Sequence, residues 1–534
     1  MSSPKPNLPT VSRNSSVTAA SSTLIQDFLE HAAVARPAKT AVITGVERLS
    51  YADIDAMANR LANAFLERGV QRGDRVAIFL NNSVQMVVSI FAALKANAVF
   101  VGINRASRPE KVLQILNNCQ AAALVADARA IAQGFGEKVS SEAPSVKSVV
   151  VCTPKGGTTS ANKLTVQHFA DIQETFPGSR PERKNIEVDL GCLIYTSGTT
   201  GEPKGVMCDH GNVVFVTESI VSYLKNTEQD IVLNVLPLSS SYGLYQLMAA
   251  FRVGATLVLE EGFGFPDLIV ERMAKERVTG FAGVPTVYAM LLGLDVSGYD
   301  LSALRYITNA GSGLPVEHIK RLRQHFPKTD LYLMHGLTEV ARTMYLPPEQ
   351  ADVRPGSSGI PIPGTELWVE DETGRRLTPG EVGELVVRGP HVMRGYWNSP
   401  ELTNFRFRPG PVAGERVCFT GDLFKTDAEG YFYFVSRKDD IIKSRGEKVA
   451  PREVENVLCT LPGVVEAAVV GVPDAVLGQA IKAVIVLNGT KLTEADVIAH
   501  CKARLEYFMV PRQVEFRQEL PKTPSGKIKK LELS

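Results

Sequence analysis

Gly191-Cys-Leu-Ile-Tyr195-Thr-Ser-Gly-Thr-Thr-Gly-Glu-Pro-Lys-Gly205 joins a short apolar run to a loop made mostly of Gly, Ser and Thr. The run Cys192 to Tyr195 reads as a strand. Beyond it, Gly198, Gly201 and Gly205 leave the backbone free to curl and bring its N–H groups close to a ligand. Thr196, Ser197, Thr199 and Thr200 add four hydroxyls, and Lys204 adds a positive charge. That inventory suits a polyphosphate. The Walker pattern GxxxxGK[ST] does not fit, because Pro203 precedes Lys204 and Gly205 stands where a Mg²⁺-holding Ser or Thr belongs.

Outward from this loop the chain repeats strand and helix patterns from Leu24 onward. Ser50 with Asp53 three positions on starts a helix whose face carries Ile54, Met57, Ala58, Leu61 and Phe65, and Gly69 is placed to end it. A strand follows at 76–80, then a helix and strand within 86–101. Further strands are readable at 123–125, 149–151, 191–195, 231–236, 256–259, 280–283 and 331–334. Repeated β-then-α units imply parallel sheet flanked by helices, an α/β fold. After about Asp352, short alternating strands at 366–369, 383–387 and 431–435 suggest a smaller β-rich subdomain. The last hundred or so residues read as a small α+β unit: helix 451–461, strands 465–472 and 481–487, helix 494–505. The expected organisation is a disordered tail at 1–22, a large multi-subdomain N-terminal domain at 23–437, a polar hinge at 438–440 and a mobile C-terminal domain at 441–534.

Composition excludes several classes of function. The 534 residues are 44% hydrophobic and 22% charged, the balance of a soluble globular protein. A formal net charge of +1 lacks the basic excess of a nucleic-acid binder. The 7 cysteines are scattered and form no CxxC pair, and the 8 histidines form no HExxH, so neither a disulfide framework nor a zinc site is expected. The most apolar stretch, 86–103, is interrupted by Lys95, Asn97 and Gly102 and reads as buried helix and strand, not a membrane span. The first twenty-odd residues have no apolar core of a secretory signal, which leaves a cytoplasmic enzyme as the expectation.

Five stretches, met in order from about Ile25 to the C-terminus, carry a resemblance. The loop 195–205 is the first. The others are Ala310-Gly-Ser-Gly-Leu-Pro315; His335-Gly-Leu-Thr-Glu339; Thr420-Gly-Asp-Leu423 with Ser436-Arg437-Lys438-Asp439-Asp440, continuing through Gly446 to Glu455; and Leu520-Pro-Lys-Thr-Pro-Ser-Gly-Lys527-Ile528. Together they resemble the signatures of the adenylate-forming superfamily, which holds acyl-CoA synthetases, peptide-synthetase adenylation domains and beetle luciferases. The likeness is greatest to acyl- or aryl-CoA ligases.

The resemblance implies a role for each segment. Thr196, Ser197, Gly198, Thr199, Thr200, Gly201 and Lys204 would hold the phosphates of ATP and the leaving pyrophosphate. Gly311 and Ser312 would wall the adenine, with Gly336 and with His335, which stands where the family usually has Tyr and would stack through its flat ring. Thr338 would contact the α-phosphate, and Glu339 would help hold Mg²⁺. Asp422 would accept from the ribose hydroxyls, with Arg437 beside it. Ser240, Tyr242, Gly243, Asn309, Ala310 and Leu337 would line the acid's pocket. Lys527 maps to the family's catalytic lysine. Asp439 falls at the hinge, Lys443 on the face that swings in, and Gly446 where a pantetheine thiol would approach.

This chemistry explains the residue types. A carboxylate is a poor electrophile, and the triphosphate it must attack repels it by roughly several kcal/mol in a partly desolvated site. Mg²⁺ and Lys527 would bridge the two anions and neutralise the charge growing on the α-phosphate. The substrate carboxylate is itself the nucleophile, so no Ser-His-Asp triad is needed. The expectation is therefore an ATP-dependent carboxylic acid ligase forming acyl-AMP, with acyl transfer to CoA. An amine or amino acid, or a carrier protein, remains open as acceptor. A non-catalytic nucleotide-binding relative would have lost Lys527, Glu339 or Lys204, and all three are present. A Rossmann dehydrogenase would need an early GxGxxG, which is missing.

One departure bears on the substrate. In Leu236-Pro-Leu-Ser-Ser-Ser-Tyr-Gly-Leu244 the related ligases usually carry an aromatic-His pair where this chain has Ser239-Ser240. The segment has no carboxylate to hold an α-ammonium, which speaks against an α-amino acid and for a mostly apolar fatty, aryl or cyclic acid.

Overall fold

A computed structural model describes residues 22–131, 135–152, 159–161, 164–197, 203–445, 447–474, 477–523 and 528–534. Two large sheets form the N-terminal part. In one, the strands Thr40–Thr44, Thr256–Leu259, Ile231–Asn234, Gly280–Gly283, Tyr306–Asn309 and Asp330–His335 run parallel and side by side. In the other, the parallel set is Leu164–His168, Ser148–Cys152, Ala123–Asp127, Arg75–Phe79, Val99–Gly102 and Leu190–Ser197. These strands read as nearly unbroken apolar runs because helices cover both faces of a parallel sheet.

The antiparallel strands after Asp352 are not a separate sheet. Ser357–Pro361 pairs with Met344–Leu346 on one side and with Phe432–Arg437 on the other, so the β-rich region extends the first parallel sheet. The sequence could not show this, since Met344–Leu346 is only three residues long and carries no alternating pattern. A five-stranded sheet of Ile442–Ser444, Glu447–Val449, Val464–Asp474, Gly478–Leu487 and Gln513–Arg517 forms the small C-terminal unit. Helices Pro451–Leu458 and Glu494–Lys502 pack on it through Val454, Leu458, Val497 and Cys501.

Local chemistry sets the helices. Ser50 caps Tyr51–Glu67 in a reciprocal box, its hydroxyl accepting from Asp53 N while the Asp53 carboxylate accepts from Ser50 N. Gly69, at φ +81°, follows its end. Ile54, Ala58, Leu61 and Phe65 are buried along one face. Helix Val84–Lys95 is buried at every position but Gln85, and Lys95, which interrupts its apolar run, lies 2.9 Å from Glu30 and 2.8 Å from Asp55. One ammonium thus pins three helices, Asp27–Ala35, Tyr51–Glu67 and Val84–Lys95. Among the described residues, no helix is long and apolar enough to cross a membrane.

Candidate active site

Two antiparallel strands flank the candidate phosphate-binding segment. Strand Leu190–Ser197 returns as Pro203–Asp209, antiparallel, with Thr196 opposite Lys204 and Tyr195 opposite Gly205. A Walker loop opens a helix; here the described residues on both sides of 198–202 are antiparallel strand. The second strand was not legible beforehand, because Pro203 and Gly205 are poor strand formers. Gly205 is required by packing: a Cβ there would come within 2.9 Å of the Tyr195 ring. That ring is anchored by its hydroxyl, which donates to Asn118 Oδ1 at 2.5 Å. Ser197 and Pro203 face each other at the ends of the described strands, and Gly198, Thr199, Thr200 and Gly201 lie outside the described residues.

The next strand over brings in a residue that the sequence did not single out. Gly395–Tyr396 pairs with Pro203–Asp209, setting Tyr396 opposite Val206. The Tyr396 hydroxyl donates to Glu339 Oε1. The partner strand of the phosphate hairpin therefore holds Glu339, which comes from the other large sheet. Burial and the neighbouring Glu339 carboxylate push the Tyr396 phenol well above its usual range, so it stays a donor. Arg406 lies beside both groups, and its guanidinium also donates to Phe419 O at 3.0 Å.

Glu339 sits on a second hairpin, between Asp330–His335 and Met344–Leu346, where His335 faces Met344. The turn is tight. Thr343 N donates to His335 O at 3.0 Å, and Val340 N to Leu337 O at 3.1 Å. A Cβ on Gly336 would fall 2.2 Å from Ala341 O, which accounts for the glycine. Leu337, Thr338 and Glu339 are half-buried on this turn, while Val340, Ala341 and Arg342 fold back inside.

A cross-strand pair completes the nucleotide side. Asp422 and Arg437 stand directly opposite each other in adjacent antiparallel strands, and Arg437 Nε donates to Asp422 Oδ1 at 3.1 Å. His335 Nε2 reaches the other oxygen, Oδ2, at 3.1 Å. A carboxylate only accepts, so Nε2 carries the proton. Nδ1 then faces the Thr343 hydroxyl at 2.8 Å. The ring lies edge-on to Phe424, with centroids 5.0 Å apart. The expectation of a stacking ring thus gains a second feature, an orienting bond to the candidate ribose acceptor.

Asn309 and Ala310, at the end of strand Tyr306–Asn309, are buried; Asn309 Nδ2 donates to Ser312 O at 2.9 Å. Gly311, at φ +85°, and Ser312 are exposed on the following turn. Arg452 of the C-terminal unit donates to Gly313 O at 2.6 Å, bringing helix Pro451–Leu458 to this turn. Tyr242 Oη reaches Thr308 O at 2.9 Å and Thr308 Oγ1 at 2.7 Å, which ties helix Ser241–Val253 to the same strand. Ser240 is the N-cap of that helix: its Oγ accepts from Gly243 N at 3.4 Å and donates to Pro237 O at 2.8 Å. The hydroxyl that stands where relatives carry His is therefore engaged with backbone. Gly243 is buried in the first turn.

Lys438–Asp440 forms a single 3₁₀ turn between the last strand of the large sheet and the C-terminal unit, with Asp439 exposed. Burial raises the Asp440 carboxyl, opposed by Lys530 and Arg437. Lys443 is exposed, and its backbone N–H donates to Gln479 Oε1 at 2.7 Å. Gly446 and Lys527 lie outside the described residues.

Comparison with known proteins identifies the family. Residues 29–397 match the AMP-binding enzyme family, and residues 453–527 match the AMP-binding enzyme C-terminal domain. The long-chain-fatty-acid–CoA ligase of Bacillus subtilis (strain 168) is 33% identical over 535 residues, covering 94% of this chain and 93% of that protein. The feruloyl-CoA synthase of Amycolatopsis sp. is 33% identical over 506 residues, covering 93% of this chain and 96% of that one. Among solved structures, the anthranilate CoA ligase AuaEII in complex with anthranoyl-AMP superposes with a TM-score of 0.87 at 30% identity, covering 96% of each chain. The chain belongs to the AMP-binding enzyme family of the adenylate-forming superfamily, and it is an AMP-forming ligase.

Proposed function

We propose that this enzyme joins a carboxylic acid to the pantetheine thiol of CoA in two half-reactions, through an acyl-AMP. The observation that carries the reading is the Asp422–Arg437 cross-strand pair, with His335 on the second carboxylate oxygen. It is a fixed, buried acceptor of the kind a ribose diol needs, tied by His335 to the turn that carries Thr338 and Glu339. The ligase names of the relatives favour CoA as acceptor.

In the first half-reaction ATP lies with its ribose at Asp422 and Arg437, its base against His335, Gly336, Gly311 and Ser312, and its phosphates along the hairpin of Thr196, Ser197 and Lys204. The acid's carboxylate, held near Tyr242, Asn309, Ala310 and Leu337, attacks the α-phosphorus beside Thr338, and pyrophosphate leaves. Lys527 neutralises charge on the α-phosphate. Glu339 is the residue fitted to hold Mg²⁺: one oxygen is fixed by Tyr396, and no group of three or more potential ligands surrounds it among the described residues. A single carboxylate together with substrate phosphates is a common Mg²⁺ arrangement, and the ion would neutralise phosphate charge. In the second half-reaction the C-terminal unit turns about Asp439, withdraws Lys527 and brings Lys443 and Gly446 to the acyl-AMP.

The test is product analysis by mass spectrometry after incubation with ATP, Mg²⁺ and an accepted acid, with CoA or with amines and amino acids added. An acyl-CoA formed in step with AMP supports the reading. Acyl-AMP that persists with CoA but is consumed enzymatically by an amine contradicts CoA as the acceptor.

A further inference from the structure

Arg342 is only 3% exposed, and it is a cation with no anion. Its Nε is buried without a hydrogen-bond partner, and among the described residues no carboxylate pairs with its guanidinium. The guanidinium lies over the ring of Tyr242, 5.3 Å from the centroid. The Tyr223 phenol oxygen accepts from the guanidinium, and the phenol of Tyr245 lies nearby. Tyr223 Oη donates to Met334 Sδ at 3.1 Å, and Tyr245 Oη is buried without a partner. Burial raises all three phenols, Tyr223 to about 12 and the other two further, so none supplies negative charge at neutral pH.

A buried guanidinium is usually paired, because stripping its water without an opposite charge is costly. An aromatic face offsets only part of that cost. Arg342 nonetheless stands three residues beyond Glu339 on the turn that also carries Leu337 and Thr338. Its aromatic partner Tyr242 is tied to Thr308, next to Asn309 and Ala310, whose Asn309 Oδ1 is also buried and unpartnered. The guanidinium, without a carboxylate partner among the described residues, therefore lies beside residues of the proposed acid site.

We infer that Arg342 is a specificity-determining residue that binds a second anionic group on the acid, so that the substrate class is a carboxylic acid bearing a further carboxylate at its distal end. The inference rests on the acid-activating reading above. The reacting carboxylate is presented to the α-phosphorus, and the second one pairs with the guanidinium between Tyr242 and Tyr223. A cation here also repels an α-ammonium, in keeping with the absence of a carboxylate to hold one in residues 236–244.

The test is acid-dependent ATP–pyrophosphate exchange by the full-length enzyme, comparing monocarboxylates with dicarboxylates of matched length, both straight-chain and benzoic. The expected result is a kcat/KM for dicarboxylates at least about tenfold above their matched monocarboxylates, as one charge-assisted bidentate contact would give. In Arg342→Met and Arg342→Gln that preference should vanish, by loss of the dicarboxylates, with monocarboxylate exchange within about threefold of the parent enzyme. A preference for monocarboxylates in the unaltered enzyme overturns the inference and leaves acid activation standing, and it does not depend on the variants folding. Equal losses for both acid classes in both variants also overturn it. Exchange with no acid at all removes the inference and the acid-activating reading together.

Discussion

His335 Nε2 lies 3.1 Å from Asp422 Oδ2, and Arg437 Nε lies 3.1 Å from Asp422 Oδ1, so one carboxylate is gripped at both oxygens from two different strands. The residue standing where relatives carry Tyr is thereby more than a flat surface. It orients the acceptor proposed to meet the ribose. His335→Phe keeps an aromatic face and loses the donor, and it should raise the KM for ATP about tenfold with a smaller change in kcat. His335→Gln, which keeps a donor, should recover part of that loss. Steady-state kinetics with ATP and with 2′-deoxy-ATP check this; an unchanged KM in His335→Phe contradicts the orienting role.

Tyr396 holds Glu339 through one hydroxyl. Tyr396→Phe removes a single hydrogen bond to a charged group, worth about 1.5–3 kcal/mol in typical cases. Adenylate formation should slow about tenfold or more, and the Mg²⁺ concentration for half-maximal rate should rise. Titrating Mg²⁺ in the parent and the variant checks it. An unchanged Mg²⁺ dependence would mean that Tyr396 supports the fold and not the carboxylate's task.

Lys95 is bonded to Glu30 and Asp55 with a side chain only 1% exposed. Removing the ammonium leaves two acids without it, Glu30 keeping Arg180 and Arg183 at its other oxygen. Lys95→Met should destabilise the N-terminal domain by about 3–5 kcal/mol, the usual penalty for breaking a buried pair. Urea denaturation followed by tryptophan fluorescence gives the value.

Two buried histidines predict loss of stability in mild acid. Burial lowers the His391 imidazole to about 3 and the His210 imidazole to about 4. Unfolding restores their ordinary value near 6.5, so the unfolded chain binds more protons between these limits. Their contribution is complete above pH 6.5 and falls as the pH drops toward 4 and 3. Asp209 opposes it: burial raises its carboxyl to about 6, so its effect grows as the pH falls from 6 to its unfolded value near 4. Asp440, also raised by burial, acts in the same direction as Asp209. The two histidines are lowered further than Asp209 is raised and set the sign, so the urea midpoint should drop from pH 6.5 to 4.5. His391→Phe should shrink that drop, since neither His391 ring nitrogen has a partner to lose.

The sequence was most legible where period and spacing carry the physics. The parallel strands and the helix Tyr51–Glu67 follow from apolar runs and from the Ser50–Asp53 cap. Contacts made across strand registers were not legible. Asp422 and Arg437 could be suspected from their resemblance alone, but the bond from His335 to Asp422, or from Tyr396 to Glu339, links residues 87 and 57 positions apart. Ser240 shows a similar limit. Its place in the family pattern says nothing of the role the structure gives its hydroxyl, which caps a helix. Arg342 left no trace in the pattern, since an arginine on a turn reads as solvated until its burial is known.

The central claim is that a carboxylic acid is activated on ATP, and acid-dependent exchange of labelled pyrophosphate into ATP measures that step directly. Exchange should require both an acid and Mg²⁺, and Lys527→Ala should abolish it while ATP binding persists. Exchange of ordinary rate in Lys527→Ala would contradict the role given to that lysine, and the absence of exchange with every acid offered to the intact enzyme would contradict the claim itself.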